Sequence, residues 1–239
     1  MIFTSADQLK DKMKNKSKET GTHATELLQN YMLERFLERV SHSSYREKMI
    51  LKGGFLIAAM VGVDKRSTMD IDTTIKGVPV NREGIESILR EIIAIDVGDG
   101  VNFEIKNIKN IHDVSEYDDF RVSLLARLFT LRVNMNIDIT TGDTIIPSEV
   151  IYNYKLMFEE RTIPVMAYNL ITILAEKIET IIVRSVGNTR GRDYYDIYLL
   201  LSLNKGTINR SELLHAIEIK ADERESIEAI ENYSKILND

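Results

Sequence analysis

Apolar residues recur along the chain at two different periods, and the changes of period mark its elements. From Ala24 to Val40, ATELLQNYMLERFLERV sets Leu27, Leu28, Met32, Phe36 and Leu37 at helical spacing, which predicts an amphipathic scaffold helix. After the polar break SHSSYREK, the segment MILKGGFLIAAMVGV predicts a glycine loop opening a short apolar helix. At Met69 the period becomes two: Met69 and Ile71 alternate with Asp70 and Asp72, as in a strand with one buried face, so the two aspartates share the other face. Residues 84–95 (GIESILREIIAI) predict a helix, and Val101 to Ile108 a strand following the turn-rich DVGDG. FRVSLLARLFTLRVNMNIDIT predicts two more strands with an undefined connection. In the second, Leu131, Val133, Met135, Ile137 and Ile139 form the apolar face and Arg132, Asn134, Asn136 and Asp138 the polar one. From about Val165 the pattern turns helical, through VMAYNLITILAEKIETIIVRSV, DYYDIYLLLSL and a charged stretch from Ser211. With Pro164 near the change, residues 1–160 are expected to form N-terminal helices plus an α/β lobe and residues 161–239 a helical lobe.

Composition narrows the chemistry. Lys and Arg number 31 against 37 Asp and Glu, a net charge of −6 that argues against broad attraction to a phosphate backbone. Lys10, Lys12, Lys14, Lys16 and Lys18 form a local basic run, read as a solvated surface. The absence of cysteine excludes disulfides, thiolate metal sites and a thiol nucleophile. His23, His42, His112 and His215 are too scattered for a histidine zinc site, which leaves carboxylates as candidate ligands. No apolar run is long enough to span a bilayer, and MIFTSADQLKDKMKNKSKE has no apolar stretch behind its positive charges, so a cytoplasmic protein without a membrane partner is expected.

Two carboxylates on one strand, joined by Asp138 from another, can surround a small volume with oxygens, and magnesium is the natural occupant of such a site. Asp-x-Asp alone is commonplace as a pair of solvent-facing strand residues. Lys52-Gly53-Gly54 upstream adds meaning, because paired glycines permit positive φ and let backbone amides approach phosphate oxygens.

The arrangement of Gly53-Gly54, a short helix, then Arg66-Ser67-Thr68-Met69-Asp70-Ile71-Asp72 resembles the opening motif of polymerase-beta-type nucleotidyltransferases. It is more closely similar to the AbiEii/AbiGii toxins, the nucleotidyltransferase half of type IV toxin–antitoxin and phage-abortive-infection systems. The later strand Ile137-Asp138-Ile139-Thr140-Thr141-Gly142-Asp143, the helical Ala175-Glu176-Lys177 and Arg192-Asp193-Tyr194-Tyr195-Asp196 match the family's remaining motifs. The stretch between Gly54 and Asp70 is longer than in many polymerase-beta-type enzymes. The resemblance implies an α+β fold, a mixed sheet with flanking helices followed by a helical C-terminal lobe.

It also implies roles. Asp70, Asp72 and Asp138 would hold metal, two Mg2+ ions in all, and Gly53, Gly54, Arg66, Thr68 and Lys177 would bind the nucleoside triphosphate. Lys52, Arg192 and Asp196 are additional candidates. Lys177 lies at the edge of the stripe Leu170, Leu174, Ile178 and Ile181, with Glu176 and Glu179 pointing elsewhere; a snorkelling lysine is the alternative, and Lys177→Ala is expected to fold nearly normally. Asp193 is expected as an active-site carboxylate orienting Lys177 or the acceptor, with Asp196 able to take that role and helix capping a competing explanation. Tyr194, Tyr195 and Tyr198 suit the core better than stacking on a base. The activity implied is transfer of a nucleoside monophosphate to RNA, at the tRNA 3′ acceptor end, by a toxin with a cognate antitoxin. Transfer to protein or a small molecule, or a non-catalytic binding protein on the same fold, are the alternatives.

Overall fold

The computed structural model describes residues 3–66, 68–78, 81–111, 119–184 and 191–233; Ser67 and His112 lie outside them. The chain divides into two units, residues 1–143 with 151–167 and residues 144–150 with 168–239. Among the described residues no helix is long and apolar enough to cross a membrane.

In the first unit, α1 (Ala6–Thr20) begins where Ser5 Oγ accepts the Gln8 amide at 3.2 Å and buries Leu9 and Met13. Its lysines face solvent, with Lys10, Lys14 and Lys16 paired to Asp7, Asp11 and Glu19. The next helix, α2 (Ala24–His42), departs from the amphipathic expectation, because every residue from Tyr31 to Ser41 is buried. Its polar side can be covered because Glu34, Arg35, Glu38 and Arg39 find charged partners there. By contrast α4 (Arg82–Ile93) keeps a single buried stripe, Ile85, Ile88, Leu89 and Ile92, and is capped by Asn81, whose side chain accepts the Gly84 amide at 2.7 Å.

Seven strands form one mixed sheet in the order β3-β4-β5-β2-β1-β7-β6. They are β1 (Met49–Lys52), β2 (Asp70–Ile75), β3 (Asn102–Asn110), β4 (Phe120–Leu128), β5 (Leu131–Thr140), β6 (Val150–Lys155) and β7 (Thr162–Ala167). The β4–β5 connection that the sequence leaves undefined is a tight hairpin through Phe129, at φ 54°, and Thr130. At the centre β2 runs parallel to β5 and antiparallel to β1.

Strand β1 replaces part of the glycine loop expected there, and α3 (Gly53–Val61) starts directly from its end. Strands β6 and β7 are further departures. Thr162–Ala167 buries Ile163, Val165 and Ala167 in alternation, so the helical pattern starts only at α5 (Leu170–Arg184) and not at Val165. This carries the first unit past residue 160, while the second unit recruits residues 144–150. Hydrogen bonds explain the recruitment: Ile146 exchanges two with Thr172 Oγ1, at 3.0 and 2.9 Å, and Asn169 Nδ2 donates to the carbonyls of Ile146 and Ser148.

The second unit is otherwise helical: α5, α6 (Gly191–Leu203), α7 (Arg210–Glu223) and the short α8 (Ile227–Glu231). Ile146, Ala175, Ala216 and Ile217 form its core, with Ile171, Ile178 and Leu213 packed against them. Glu179, expected to point away from the packed stripe, is buried and accepts from Arg224 Nη1 at 2.7 Å and Ser226 Oγ at 2.8 Å.

Candidate active site

Register puts the predicted carboxylates side by side. Asp72 stands across from Asp138 on the parallel β2–β5 pair, and Asp70 lies two residues earlier on the same face, opposite Asn136. The rung continues in both directions, with Lys52 of β1 opposite Asp72 and Arg121 of β4 opposite Asp138. Four adjacent strands therefore carry Lys52, Asp72, Asp138 and Arg121 in one row. The other face of β2 and β5 buries Ile71, Ile137 and Ile139, so a one-residue slip would exchange the two sets and is opposed by the core.

The glycine pair is tied to this row by close approach. Gly53 has φ +65°, and a Cβ there would stand 2.1 Å from Asp72 Oδ2, which no side chain tolerates. Gly54 N–H donates to the same oxygen at 3.3 Å. A Cβ on Gly54 would come within 2.9 Å of Arg66 Nη2 and 3.2 Å of Thr68 Oγ1, so both of these residues lie beside the glycine turn. Gly53, Gly54, Arg66, Thr68 and Asp72 are thus brought together, although they span a helix and a loop.

The carboxyl groups themselves are held apart. Asp138 faces Arg121, whose Nε and Nη2 donate to its two oxygens at 2.8 and 2.6 Å. Asp70 Oδ1 accepts from Asn136 Nδ2 at 3.2 Å, and Ser123 Oγ donates to Asn136 Oδ1 at 3.0 Å. Among the described residues no three carboxylate or histidine side chains gather as a metal-holding group. The expected convergence of Asp70, Asp72 and Asp138 therefore holds for strand register and face but not for their oxygens. Like charges repel, and hydrogen-bond donors on neighbouring strands turn two of the three carboxylates aside.

The carboxyl group of Asp72 sits where its charged form is disfavoured. Burial pushes its pKa up, and the charges of Asp138 and then Asp70 add to the rise, against the Gly54 amide and Lys52, which lower it. The amine of Lys52 also pairs with Asp143 at 2.5 Å. The donor set fits a hard divalent cation: Asp70 and Asp72 offer oxygens that only neutral groups contact among the described residues, and their mutual repulsion is what such a cation would relieve.

In the second unit, Lys177 of α5 pairs with both candidate carboxylates of α6, at 2.6 Å to Asp193 Oδ1 and 2.9 Å to Asp196 Oδ2. Asp193 and Asp196 are buried at 6% and 0% exposure, so the lysine is neither snorkelling nor solvent-directed, and both acids orient it. Arg192 is exposed, and so are Tyr194, Tyr195 and Tyr198, which overturns the reading of those rings as core.

Sequence reasoning missed Arg121 as a partner of Asp138 and Ser123–Asn136 as the support for Asp70. The only signal was their place in alternating strands, and it does not reveal which strands are neighbours.

The model of the nucleotidyl transferase AbiEii toxin family, type IV TA system, matches residues 35–236. No curated protein matches the chain significantly in sequence. Among solved structures, MenT4, a nucleotidyltransferase toxin from Mycobacterium tuberculosis, superposes with a TM-score of 0.61 at 15% identity, covering 88% of this chain and 69% of that one. JHP933 from Helicobacter pylori gives a TM-score of 0.50 at 13% identity over 84% of this chain and 76% of its own. These likenesses show a common fold, and the family match covers both Asp-bearing strands and the helices of the second unit. The chain belongs to the AbiEii family of nucleotidyltransferase toxins of type IV toxin–antitoxin systems, and that membership implies an antitoxin partner.

Proposed function

We propose that this toxin transfers a nucleoside monophosphate from a nucleoside triphosphate to RNA, at the 3′ acceptor end of tRNA, in the cytoplasm. The observation that carries the reading is the packing of Gly53 and Gly54 against Asp72, itself in register with Asp138. That packing sets a glycine turn able to receive phosphate beside carboxylates able to hold cations. The choice of RNA as acceptor follows from the family resemblance alone.

In the transfer, the acceptor hydroxyl loses its proton to solvent and bonds to the α-phosphorus as the bond from that phosphorus to the oxygen bridging it to the β-phosphate breaks and pyrophosphate leaves. Asp70, Asp72 and Asp138 would hold Mg2+, which supplies charge neutralisation for the triphosphate and polarises the α-phosphate. The protein's own contribution is positioning. Gly53 and Gly54 keep side chains out of the phosphate's approach, Arg66 and Thr68 offer donors beside the turn, and the sheet fixes the carboxylates by register.

Lys177 is proposed to serve the triphosphate, with Asp193 and Asp196 holding its amine. The pairing changes the test expected from sequence: Lys177→Ala would remove an amine that pairs with two buried acids and destabilise the second unit by about 3–5 kcal/mol. Lys177→Arg separates the roles, since it keeps the charge while changing its reach. The expected outcome is a native-like melting curve with transfer strongly reduced; unimpaired transfer in Lys177→Arg would assign the lysine to structure alone.

The decisive experiment incubates the purified protein with each labelled nucleoside triphosphate and total RNA, with and without a chelator. Label should enter RNA of tRNA size and vanish with the chelator. Label on protein or a small molecule would keep the chemistry and change the acceptor, while no transfer of any nucleotide would leave the binding-protein alternative.

A further inference from the structure

Arg121 has no assigned part in the transfer, yet it is the residue most closely engaged with the carboxylate row. It opens β4 directly across from Asp138 and is about half exposed, so its side chain reaches over the sheet from the open side. Two of its nitrogens address the two oxygens of Asp138 at 2.8 and 2.6 Å, the parallel fork by which a guanidinium binds a carboxylate most specifically. Its charge acts on Asp70 and Asp72 as well. Asp70 and Asp72, by comparison, meet only neutral donors among the described residues. This guanidinium thus adds positive charge to all three carboxylates, with Lys52 acting on Asp72 from the other side, at the place where a divalent cation would also be drawn.

A guanidinium and a metal ion cannot both dominate the same carboxylate, because the two cations repel each other while competing for its oxygens. The fork also engages both oxygens of Asp138, so a cation drawn to that carboxylate must compete with the guanidinium for them. Once displaced, the guanidinium would stand beside a row about to receive a triphosphate, the other anion whose geometry it matches.

We propose that Arg121 is a positioning residue that acts as an internal counter-cation, holding Asp138 out of the metal site until nucleoside triphosphate and divalent cation arrive together, and so coupling the two binding events. The inference rests on the metal-dependent reading given under Proposed function. It makes metal binding weak in the free protein and strengthened by nucleotide, and by linkage nucleotide binding is strengthened equally by metal.

The test measures Mn2+ binding from the free-ion electron paramagnetic resonance signal, in wild type, Arg121→Gln and Asp72→Ala, with and without a non-hydrolysable nucleoside triphosphate analogue. Arg121→Gln should bind Mn2+ about tenfold more tightly than wild type in the absence of nucleotide, and the analogue should strengthen its binding less, a coupling loss within the range of roughly 5–150-fold usual for linked sites. Unchanged or weaker Mn2+ binding by a folded Arg121→Gln, with Asp72→Ala still impaired, would overturn the counter-cation role and leave the metal reading standing. Failure of wild type to bind Mn2+ even with the analogue would instead remove the metal reading and this inference with it. Should Arg121→Gln not fold, Arg121→Lys carries the test: a point charge without the fork is expected to bind Mn2+ with intermediate affinity, and affinity equal to wild type would count against the proposal.

Discussion

The first unit gathers charge in two places, buried along α2 and half-buried on the sheet, and treats them differently. Along α2 each buried acid meets a guanidinium: Arg35 contacts Glu34, Glu38 and Glu159, Arg39 holds both oxygens of Asp99 at 2.8 Å, and Arg161 reaches Glu38. Arg39 also donates to the Val101 carbonyl, and the two arginines lie over the rings of Tyr31 and Phe103. On the sheet face, among the described residues, Asp138 meets a guanidinium and Asp70 and Asp72 accept from neutral donors. The α2 acids are each held by a guanidinium within the fold, whereas on the sheet face Asp72 has only the Gly54 amide and the charge of Lys52 set against burial and two neighbouring carboxylates. Half-buried carboxylates gathered on one face, beside a helix whose buried acids each have a guanidinium, mark a place where further positive charge can come from outside.

The comparison is broken most directly through Arg39. Arg39→Ala would strip the buried Asp99 of its two strongest hydrogen bonds, and the expected loss is about 3–5 kcal/mol, enough to unfold a marginal domain. Urea denaturation measures it, and a loss below about 1 kcal/mol would mean that the network is not the structural element described. Asp72→Ala should behave in the opposite way. Its removal relieves repulsion, so the melting temperature should hold or rise, while transfer and any toxicity in cells fall by about 100-fold or more, the effect of misplacing a reacting group by about 1 Å. Full toxicity of Asp72→Ala would end the assignment of this face as the active site.

The smallest effect is a pH dependence, measured on the metal-free protein in chelator. Asp72 has its folded pKa raised above the unfolded value, so the folded state holds more protons between the two, and stability declines as pH rises through that window. Asp72→Asn should therefore be more stable than wild type at neutral pH, and the gain should fade as the solution is acidified into the ordinary aspartate range. Glu34, pushed up to about 7 by burial, acts with the same sign, so both proteins should keep a further decline in stability up to about that pH. A gain for Asp72→Asn that stays constant with pH would show that the charged form of Asp72 is not disfavoured there.

Much of this was legible from periodicity. The alternation around Asp70 and Asp72, and again around Asp138, assigns each aspartate to the polar face of a strand, because a strand with one face in the core must turn every second residue away from it. Residues 84–95 predict a helix in the same local way, and the structure forms it as α4 over Arg82–Ile93. Strands β6 and β7 were not legible, since their alternation is short and Thr162–Ala167 merges with the apolar run of α5. Helix α2 was misjudged on its polar side because the ion pairs that allow burial come from Asp99, Glu159 and Arg161, 60 or more positions away along the chain.

By itself, then, the amino-acid sequence determined the elements that carry the carboxylates, the face each one occupies and the family to which the chain belongs, because periodicity and motif spacing are local properties of the chain. Only the tertiary structure decided that β2 lies between β1 and β5, that Gly53 is pressed against Asp72, that Arg121 grips Asp138 and that Asp193 and Asp196 share Lys177. Strand order and register arise from burying all the apolar faces in one core at once, and no short stretch of sequence contains that condition.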